Sequence, residues 1–126
     1  MSMRTELGKV RGLGAAHEGT GHFWQQRLTG IFNFALAIFF VVYVACHLGA
    51  DRAAIVTSFK NPLIAFGFSA LMLNSMWHMR LGLQVVIEDY VHAPATKLIL
   101  IILNNVYAFG LMGLGLLAIL KMFLGA

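Results

Sequence analysis

Residues 31–48 read IFNFALAIFFVVYVACHL, an apolar run that contains no charged side chain. A helix of this length is long enough to cross the roughly 30 Å hydrocarbon core of a bilayer. Two further apolar blocks follow it, at residues 63–73 and 98–120. Continuous blocks of this kind, rather than an amphipathic alternation, indicate an integral membrane protein.

The composition supports that interpretation. Of 126 residues, 60% are hydrophobic and only 11% are charged, far less charge than a water-soluble domain of this size carries. The formal net charge is +4, but the basic residues form no run with interleaved aromatics, so we expect no nucleic-acid partner and assign this charge to membrane lipid headgroups. A single cysteine, Cys46, excludes an internal disulfide.

Three transmembrane helices are predicted, packed as an all-α bundle after a polar cytoplasmic arm of residues 1–22. Together they make the anchor of residues 23–126, and their approximate bounds are 23–49, 62–91 and 95–124. Pro62 suits the first turn of the second helix, and Pro94 ends it. Gly110, Gly113 and Gly115 are expected to let helices approach closely.

The distribution of basic residues predicts the orientation. The amino-terminal side carries Arg4, Lys9, Arg11, Arg27, Arg80 and Lys97, and the opposite side carries Arg52, Lys60 and Lys121. An excess of Lys and Arg marks the cytoplasmic side, so the amino terminus is expected there. The polar arm has neither the apolar core of a secretory signal nor the composition of a transit peptide. We therefore expect a multi-pass protein of the bacterial inner membrane.

The second predicted helix carries a histidine, His78, whose position inside the membrane requires a chemical explanation. Residues 78–90 read HMRLGLQVVIEDY, and a histidine inside a bilayer is expensive unless it serves a metal, a haem or a proton path. Gly82, one turn from His78, is expected to leave room for a large flat group such as a haem. A histidine hydrogen-bonded to a neighbouring helix fits the same spacing. A single histidine would also need a second haem ligand from another chain.

Arg27, Asp89 and Tyr90 lie near predicted helix ends. Arg27 either snorkels to the headgroups or holds a carboxylate such as a haem propionate. The Tyr90 hydroxyl could donate to a quinone carbonyl, with the Asp89 carboxylate orienting it or relaying protons. An interfacial tyrosine beside a solvated acid fits equally well. Arg80, nearly opposite His78 around the helix, suits a contact with a partner chain or a propionate.

The sequence excludes several other classes of chemistry. No Cys/His cluster has metal-site spacing, and no glycine-rich phosphate loop, hydrolase nucleophile, flavin or iron–sulfur motif is present. The chain is therefore not expected to be catalytic on its own. A small transporter is disfavoured by the short length and by the lack of an internal repeat.

The residues resemble a known family. The chain resembles the small hydrophobic membrane anchors of succinate dehydrogenase, respiratory complex II. The resemblance rests on three apolar helices, on the entry segment HFWQQRLT at 22–29, and on a histidine that is followed by a glycine one turn on and then by Asp-Tyr. Tyr90 stands twelve residues after His78. The resemblance covers the chain from about Gly21 onward and implies a three-helix chain that forms part of a larger helical membrane anchor.

The resemblance also implies roles for individual residues. His78 would be an axial ligand of haem b, and Arg27 would lie near the haem propionates. Tyr90 would hydrogen-bond ubiquinone, with Asp89 as its acidic neighbour.

The implied partners are a flavoprotein subunit, an iron–sulfur subunit and a second membrane anchor, which supplies the other haem histidine and part of the quinone pocket. The expected function is to pass electrons from succinate oxidation to ubiquinone. The alternatives are a fumarate reductase anchor that oxidises quinol and a haem-free structural membrane anchor.

Overall fold

The computed structural model describes residues 5–12 and 19–125, and all regular secondary structure in these ranges is helical. The helices are α1 Glu6–Val10, α2 Gly19–Cys46, α3 Arg52–Ser58, α4 Pro62–Tyr90 and α5 Pro94–Leu124. The three long helices α2, α4 and α5 agree with the predicted ones to within four residues at every end. The all-α prediction is thus confirmed for the described part of the chain.

Two short helices were not predicted, because they are too brief to show a periodic pattern. Helix α1 lies within the polar arm, where the Thr5 hydroxyl accepts from the Gly8 N–H at 3.1 Å. Helix α3 lies in the predicted connector, where the Asp51 carboxylate accepts from the Ala54 N–H at 2.8 Å. Each is a side-chain cap of the kind that stabilises a helix start. The remainder of the predicted arm, residues 1–4 and 13–18, lies outside the described residues.

The ends of α4 and α5 follow local chemistry. The Asn61 side chain accepts from the Leu63 N–H at 2.9 Å, and Pro62 occupies the first turn, where a missing N–H costs nothing. After α4 the backbone is extended at Val91, and Pro94 starts α5. Gly125 ends α5 with φ of 75°, the left-handed conformation that glycine adopts without strain.

Helix α4 is central and packs antiparallel against both α2 and α5. Against α2, Thr29 meets His78 near one end and Phe39 meets Phe68 near the other. Against α5, the pairs along α4 are Glu88 with Lys97, Arg80 with Asn105, Trp77 with Phe109, and Met72 with Gly115. The start of α2, the end of α4 and the start of α5 therefore share one end of the bundle.

An aromatic cluster closes the opposite end. The ring of Phe68 lies 4.8 Å from that of Tyr43 and 4.9 Å from that of the buried Phe59, measured between centroids. The Tyr43 hydroxyl lies 2.6 Å from the Ser58 Oγ. These contacts hold α3 against the bundle, although its axis is bent by 91° from that of α4.

The chain buries few of its own side chains. Among the described residues the buried apolar ones are Phe59, Ala65, Leu81, Ala108 and Met112. Helix α2 buries none of the residues in its apolar window. Most large apolar side chains therefore face outward, as expected where lipid or other membrane helices replace water.

Two of the described helices are long and apolar enough to cross a membrane, the span Thr20–Cys46 within α2 and Pro94–Leu124, which is α5. A third span results if α3 and α4 are counted together across their bend. Helix α4 is less apolar because it carries Asn74 near its middle and His78, Arg80 and Gln84 in its second half.

The predicted glycine contacts are confirmed at only one of three positions. A Cβ atom on Gly115 would lie 2.5 Å from Met72 Cε, so this glycine does permit close packing of α5 on α4. Gly110 and Gly113 have no neighbour within 4 Å among the described residues, and their predicted packing is wrong within this chain. An unpredicted close contact occurs at Gly67, where a Cβ would lie 2.6 Å from Phe39 Cζ.

We predict that Gly67→Ala destabilises the bundle whereas Gly113→Ala does not. Both changes raise helix propensity, by up to about 1 kcal/mol. Only the first forces a methyl group into an aromatic ring, which costs about 1–3 kcal/mol. The measurement is the thermal unfolding midpoint of the detergent-solubilised protein, and equal midpoints for the two variants would contradict the packing of α2 on α4.

Candidate functional site

His78 lies at the interface between α4 and α2. Its Nδ1 atom is 2.9 Å from the Thr29 hydroxyl oxygen. A Cβ atom on Gly30 would lie 3.4 Å from His78 Cε1, so the absence of a side chain there lets the imidazole approach the α2 backbone. His78 is half-buried within the chain.

An amide network one turn away fixes how α4 sits on α2. Asn74 Nδ2 donates to Asn33 Oδ1 at 2.7 Å and to the Thr29 carbonyl at 2.9 Å. Ser75 Oγ donates to the same Asn33 oxygen at 3.0 Å. In hydrocarbon such polar groups must find partners within the protein, so this network sets the rotation of α4 and with it the position of His78.

Sequence reasoning missed Asn33 and Thr29. Both stand in the apolar first long helix, and their spacing of four residues places them on one face of it. A pair of polar side chains on one stripe of an otherwise apolar helix was the available signal. Read together with Asn74, Ser75 and His78, it would have indicated which faces of the two helices meet.

A side chain from α2 lies beside Gly82. A Cβ atom on Gly82 would lie 3.3 Å from the Nε2 atom of Gln26, which comes from α2. The Gln26 amide therefore occupies part of the space that was predicted for a flat group beside Gly82, and the clearance for a haem there stays a prediction. The glycine beside the imidazole is Gly30, on the facing helix.

A groove runs along the surface of α2 next to this position. It has a volume of about 510 Å³ and is lined by Gln26, Arg27, Gly30, Ile31 and Phe34. Ligand sites commonly have volumes of roughly 300–1,000 Å³. Gly30 connects the groove to the imidazole, since it both lines the groove and contacts His78.

Polar groups surround the amino-terminal end of the groove. The Arg27 guanidinium carbon lies 4.4 Å from the centroid of the Phe23 ring, an exposed cation–π contact. His22 Nε2 and Gln26 Oε1 are buried atoms with no hydrogen-bond partner among the described residues. Arg27 and Gln26 thus give the groove a cation and a potential acceptor, and His22, one turn before Gln26 on α2, is a potential donor outside its lining.

Arg80 is directed away from this site, towards α5. Its Nε donates to Asn105 Oδ1, and its guanidinium carbon lies 4.9 Å from the centroid of the Trp77 ring and 5.6 Å from that of Phe109. Asn104 Nδ2 donates to the Arg80 carbonyl at 2.9 Å. These contacts give Arg80 a role in joining α4 to α5 inside this chain.

Asp89 and Tyr90 lie at the last turn of α4 and are exposed, with Tyr90 78% accessible. Neither side chain has a hydrogen-bond partner within the described ranges. The turn itself is held, because Lys97 Nζ donates to the Glu88 carbonyl at 2.8 Å and Gln84 Nε2 donates to the Glu88 carboxylate at 2.8 Å.

The structure thus brings together some of the predicted site residues and separates others. Arg27 lines the groove, whereas His78 lies outside its lining and contacts Gly30, which lines it. Tyr90 stands twelve residues beyond His78, about 18 Å along α4, so the pair Asp89–Tyr90 belongs to a second location near the end of the bundle. No group of three or more side chains that could hold a metal ion occurs in residues 5–12 and 19–125.

We predict that Arg80→Lys destabilises the protein although it keeps the charge. A lysine lacks the planar fork that bonds Asn105 and stacks on Trp77, so the loss should be about 1–3 kcal/mol. The exposed Arg52 supplies the matched control, Arg52→Lys, which should be neutral. Thermal unfolding of the detergent-solubilised variants tests this, and an unchanged midpoint for Arg80→Lys would show that α5 does not depend on the guanidinium.

Comparison with known proteins agrees with the resemblance found in the sequence. Residues 1–120 match the family model described as the succinate dehydrogenase/fumarate reductase transmembrane subunit. No solved structure matches the chain significantly.

Several curated proteins are similar over most of their length. A succinate dehydrogenase hydrophobic membrane anchor subunit of Rickettsia bellii is 28% identical over 105 residues, covering 83% of this chain and 84% of that protein. The membrane anchor subunit of Reclinomonas americana is 31% identical over 97 residues, covering 75% and 81%. The corresponding subunit of Paracoccus denitrificans is 29% identical over 120 residues, covering 88% and 93%.

Proposed function

Because this chain belongs to the succinate dehydrogenase/fumarate reductase transmembrane subunit family, we propose that it anchors a succinate dehydrogenase and helps its electrons reach ubiquinone. The chain would bind haem b together with a partner anchor and form part of the ubiquinone-reduction site. The observation that carries this proposal is His78 in a membrane helix, hydrogen-bonded through Nδ1 to Thr29 and placed beside the α2 groove.

We place the chain in a bacterial inner membrane with three passes. Helices α2 and α5 are two of them, and α4 with its bent neighbour α3 is the third. The end of the bundle that holds the start of α2 and the end of α4 faces the cytoplasm in this proposal, because the basic residues are more numerous on that side.

The residues at the groove fit a haem. The imidazole has one nitrogen occupied by Thr29, and no described residue hydrogen-bonds to Nε2, the atom that would face iron. Gly30 allows the His78 ring to lie close to the α2 backbone. Arg27, in the groove lining, supplies the positive charge that a propionate needs. The orphaned His22 Nε2 lies on the same part of α2 and can serve as a further donor.

A bound haem b would supply a one-electron carrier within the membrane. His78 would bind its iron, and Arg27 would neutralise one of its carboxylates. The partner anchor would supply the other haem-ligating histidine.

The same partner would cover the outer face of α2. This helix buries no residue of its apolar window, and its groove is open to the surface. A second anchor packed there would supply the missing wall. The flavoprotein and iron–sulfur subunits would dock at the cytoplasmic end, where Asp89 and Tyr90 are exposed.

Tyr90 and Asp89 suit the ubiquinone site. An exposed phenol without a partner among the described residues can donate a hydrogen bond to a quinone carbonyl, and the adjacent carboxylate can orient it or relay protons. Lys97 donates a hydrogen bond to the Glu88 carbonyl just before them. This bond stabilises the last turn of α4, from which both side chains project.

A fumarate reductase anchor that oxidises quinol is the alternative that the family description itself includes. The two directions use the same residues and differ in cofactor potentials and in the quinone present. A haem-free structural anchor would also keep the fold, with His78 serving only as the partner of Thr29 between α4 and α2; the haem spectrum of the purified complex separates this alternative from the proposal.

We predict that His78→Leu abolishes the spectrum of a low-spin, bis-histidine b haem in the purified complex. Leucine fills the space and cannot ligate iron. The control, His92→Leu, removes an exposed histidine beyond α4 and should leave the reduced-minus-oxidised spectrum unchanged. Succinate oxidation with an artificial acceptor confirms that the complex assembled, and an intact haem signature in assembled His78→Leu complex would refute the haem assignment.

We also predict that Tyr90→Phe lowers ubiquinone reduction about ten- to a hundred-fold, as expected when one hydrogen bond worth roughly 1–3 kcal/mol is lost. Electron transfer from succinate to an artificial acceptor that bypasses the membrane should hold. Tyr107→Phe, a change at an exposed tyrosine of α5, is the matched control. If both assays of Tyr90→Phe stay intact, Tyr90 is an interfacial aromatic; if both fall together, it serves docking.

A further inference from the structure

The Thr29 hydroxyl stands between three groups that compete for its single proton. Its oxygen lies 2.7 Å from the Gln25 carbonyl, 3.2 Å from the Gln26 carbonyl and 2.9 Å from His78 Nδ1. The two carbonyls can only accept. The distance of 2.7 Å to Gln25 is typical of a well-formed O–H···O bond, and back-bonding to the carbonyl four residues earlier is usual for threonine in a helix.

The hydroxyl proton therefore points to the Gln25 carbonyl. If it pointed to His78 instead, two oxygen lone pairs would face each other at 2.7 Å with no proton between them. With its proton on Gln25, the Thr29 oxygen is left as an acceptor towards His78. A neutral imidazole carries one N–H, so that N–H is on Nδ1 and the lone pair is on Nε2.

We propose that Thr29 is the positioning residue of the haem ligand, selecting the Nδ1–H tautomer of His78 and holding the ring so that Nε2 is presented to iron. This inference rests on the haem proposed above. Metal-ligating histidines generally donate their second N–H to such a partner, which fixes the tautomer and raises the basicity of the ligating nitrogen. Here the partner is a hydroxyl from the facing helix.

Thr29 is itself held in place from both sides. Its backbone carbonyl accepts from Asn74 Nδ2 at 2.9 Å, and Asn74 lies one turn before His78 on α4. The neighbouring Gly30 lets the imidazole lie against the α2 backbone. The bond from Asn74 to the Thr29 carbonyl joins the same two helices as the contact between Thr29 and His78, so it fixes the position of the hydroxyl relative to the imidazole.

The test uses the assembled, detergent-purified complex with Thr29→Val, which removes the hydroxyl at nearly constant volume, and Thr29→Ser, which keeps it. Thr96→Val at the exposed start of α5 is the control. Thr29→Val should weaken haem retention about 10–100-fold and raise the haem midpoint potential, because a less basic imidazole stabilises ferric iron less. Thr29→Ser and Thr96→Val should stay close to the parent in both haem content and potential.

Several outcomes would overturn the inference. Unchanged haem retention and potential in Thr29→Val would show that the hydroxyl does not act on the ligand. An equal loss in Thr29→Ser would assign the effect to the methyl group and its packing. If Thr29→Val does not assemble, judged by succinate oxidation with an artificial acceptor, Thr29→Ala removes the same hydroxyl without the branched side chain and is held to the same criteria.

The failure of the proposed function would look different. A parent complex without haem, or an intact haem spectrum in His78→Leu, refutes the ligand assignment itself and this inference with it. A parent haem that depends on His78 but is indifferent to Thr29 refutes only the positioning role. The low-spin electron paramagnetic resonance signal of the ferric haem separates these cases independently of quinone reduction.

Discussion

The hydrogen bonds between the facing sides of α2 and α4 are the constraint on which the rest of this structure depends. Hydrocarbon cannot solvate an amide, a hydroxyl or an imidazole, so each must find its partner inside the protein. Asn33 receives two donors from α4, and Thr29 receives one at its carbonyl while its hydroxyl meets His78. Together these hydrogen bonds hold the rotation of α4 against α2, and that rotation places the imidazole beside Gly30.

The same constraint divides α4 into two working sides. The side that faces α2 carries His78 together with Asn74 and Ser75. The other carries Arg80, whose guanidinium is satisfied by Asn105 and two aromatic rings, towards α5. A charged and an imidazole side chain two residues apart in sequence are thus kept in separate environments, and the positive charge of Arg80 is tied to α5 rather than to the groove.

Much of this architecture could be predicted from the sequence. Apolar run lengths and two prolines located the long helices, and the spacing from His78 to Tyr90 indicated both candidate locations. Which glycines touch could not be predicted, because Gly67, Gly82 and Gly115 meet side chains from other helices, and such contacts depend on how the helices are rotated against each other. The same rotation hid Thr29 and Asn33, whose importance appears only when α2 and α4 are placed together. The short helices α1 and α3 were not predicted, because side-chain caps stabilise them and they are too short to show a periodic hydrophobic pattern.

The scarcity of buried side chains has a consequence for how such chains diverge. No residue in the apolar window of α2 is buried, so on the side of α2 away from α4 one aliphatic side chain can replace another at little cost to the fold of the chain. Asn33 has no such freedom, since its loss leaves Asn74 with one acceptor fewer and Ser75 without the amide oxygen to which it donates. Sequence drift is thus expected to accumulate on the lipid-facing or partner-facing surface while a small set of polar contacts changes only in concert.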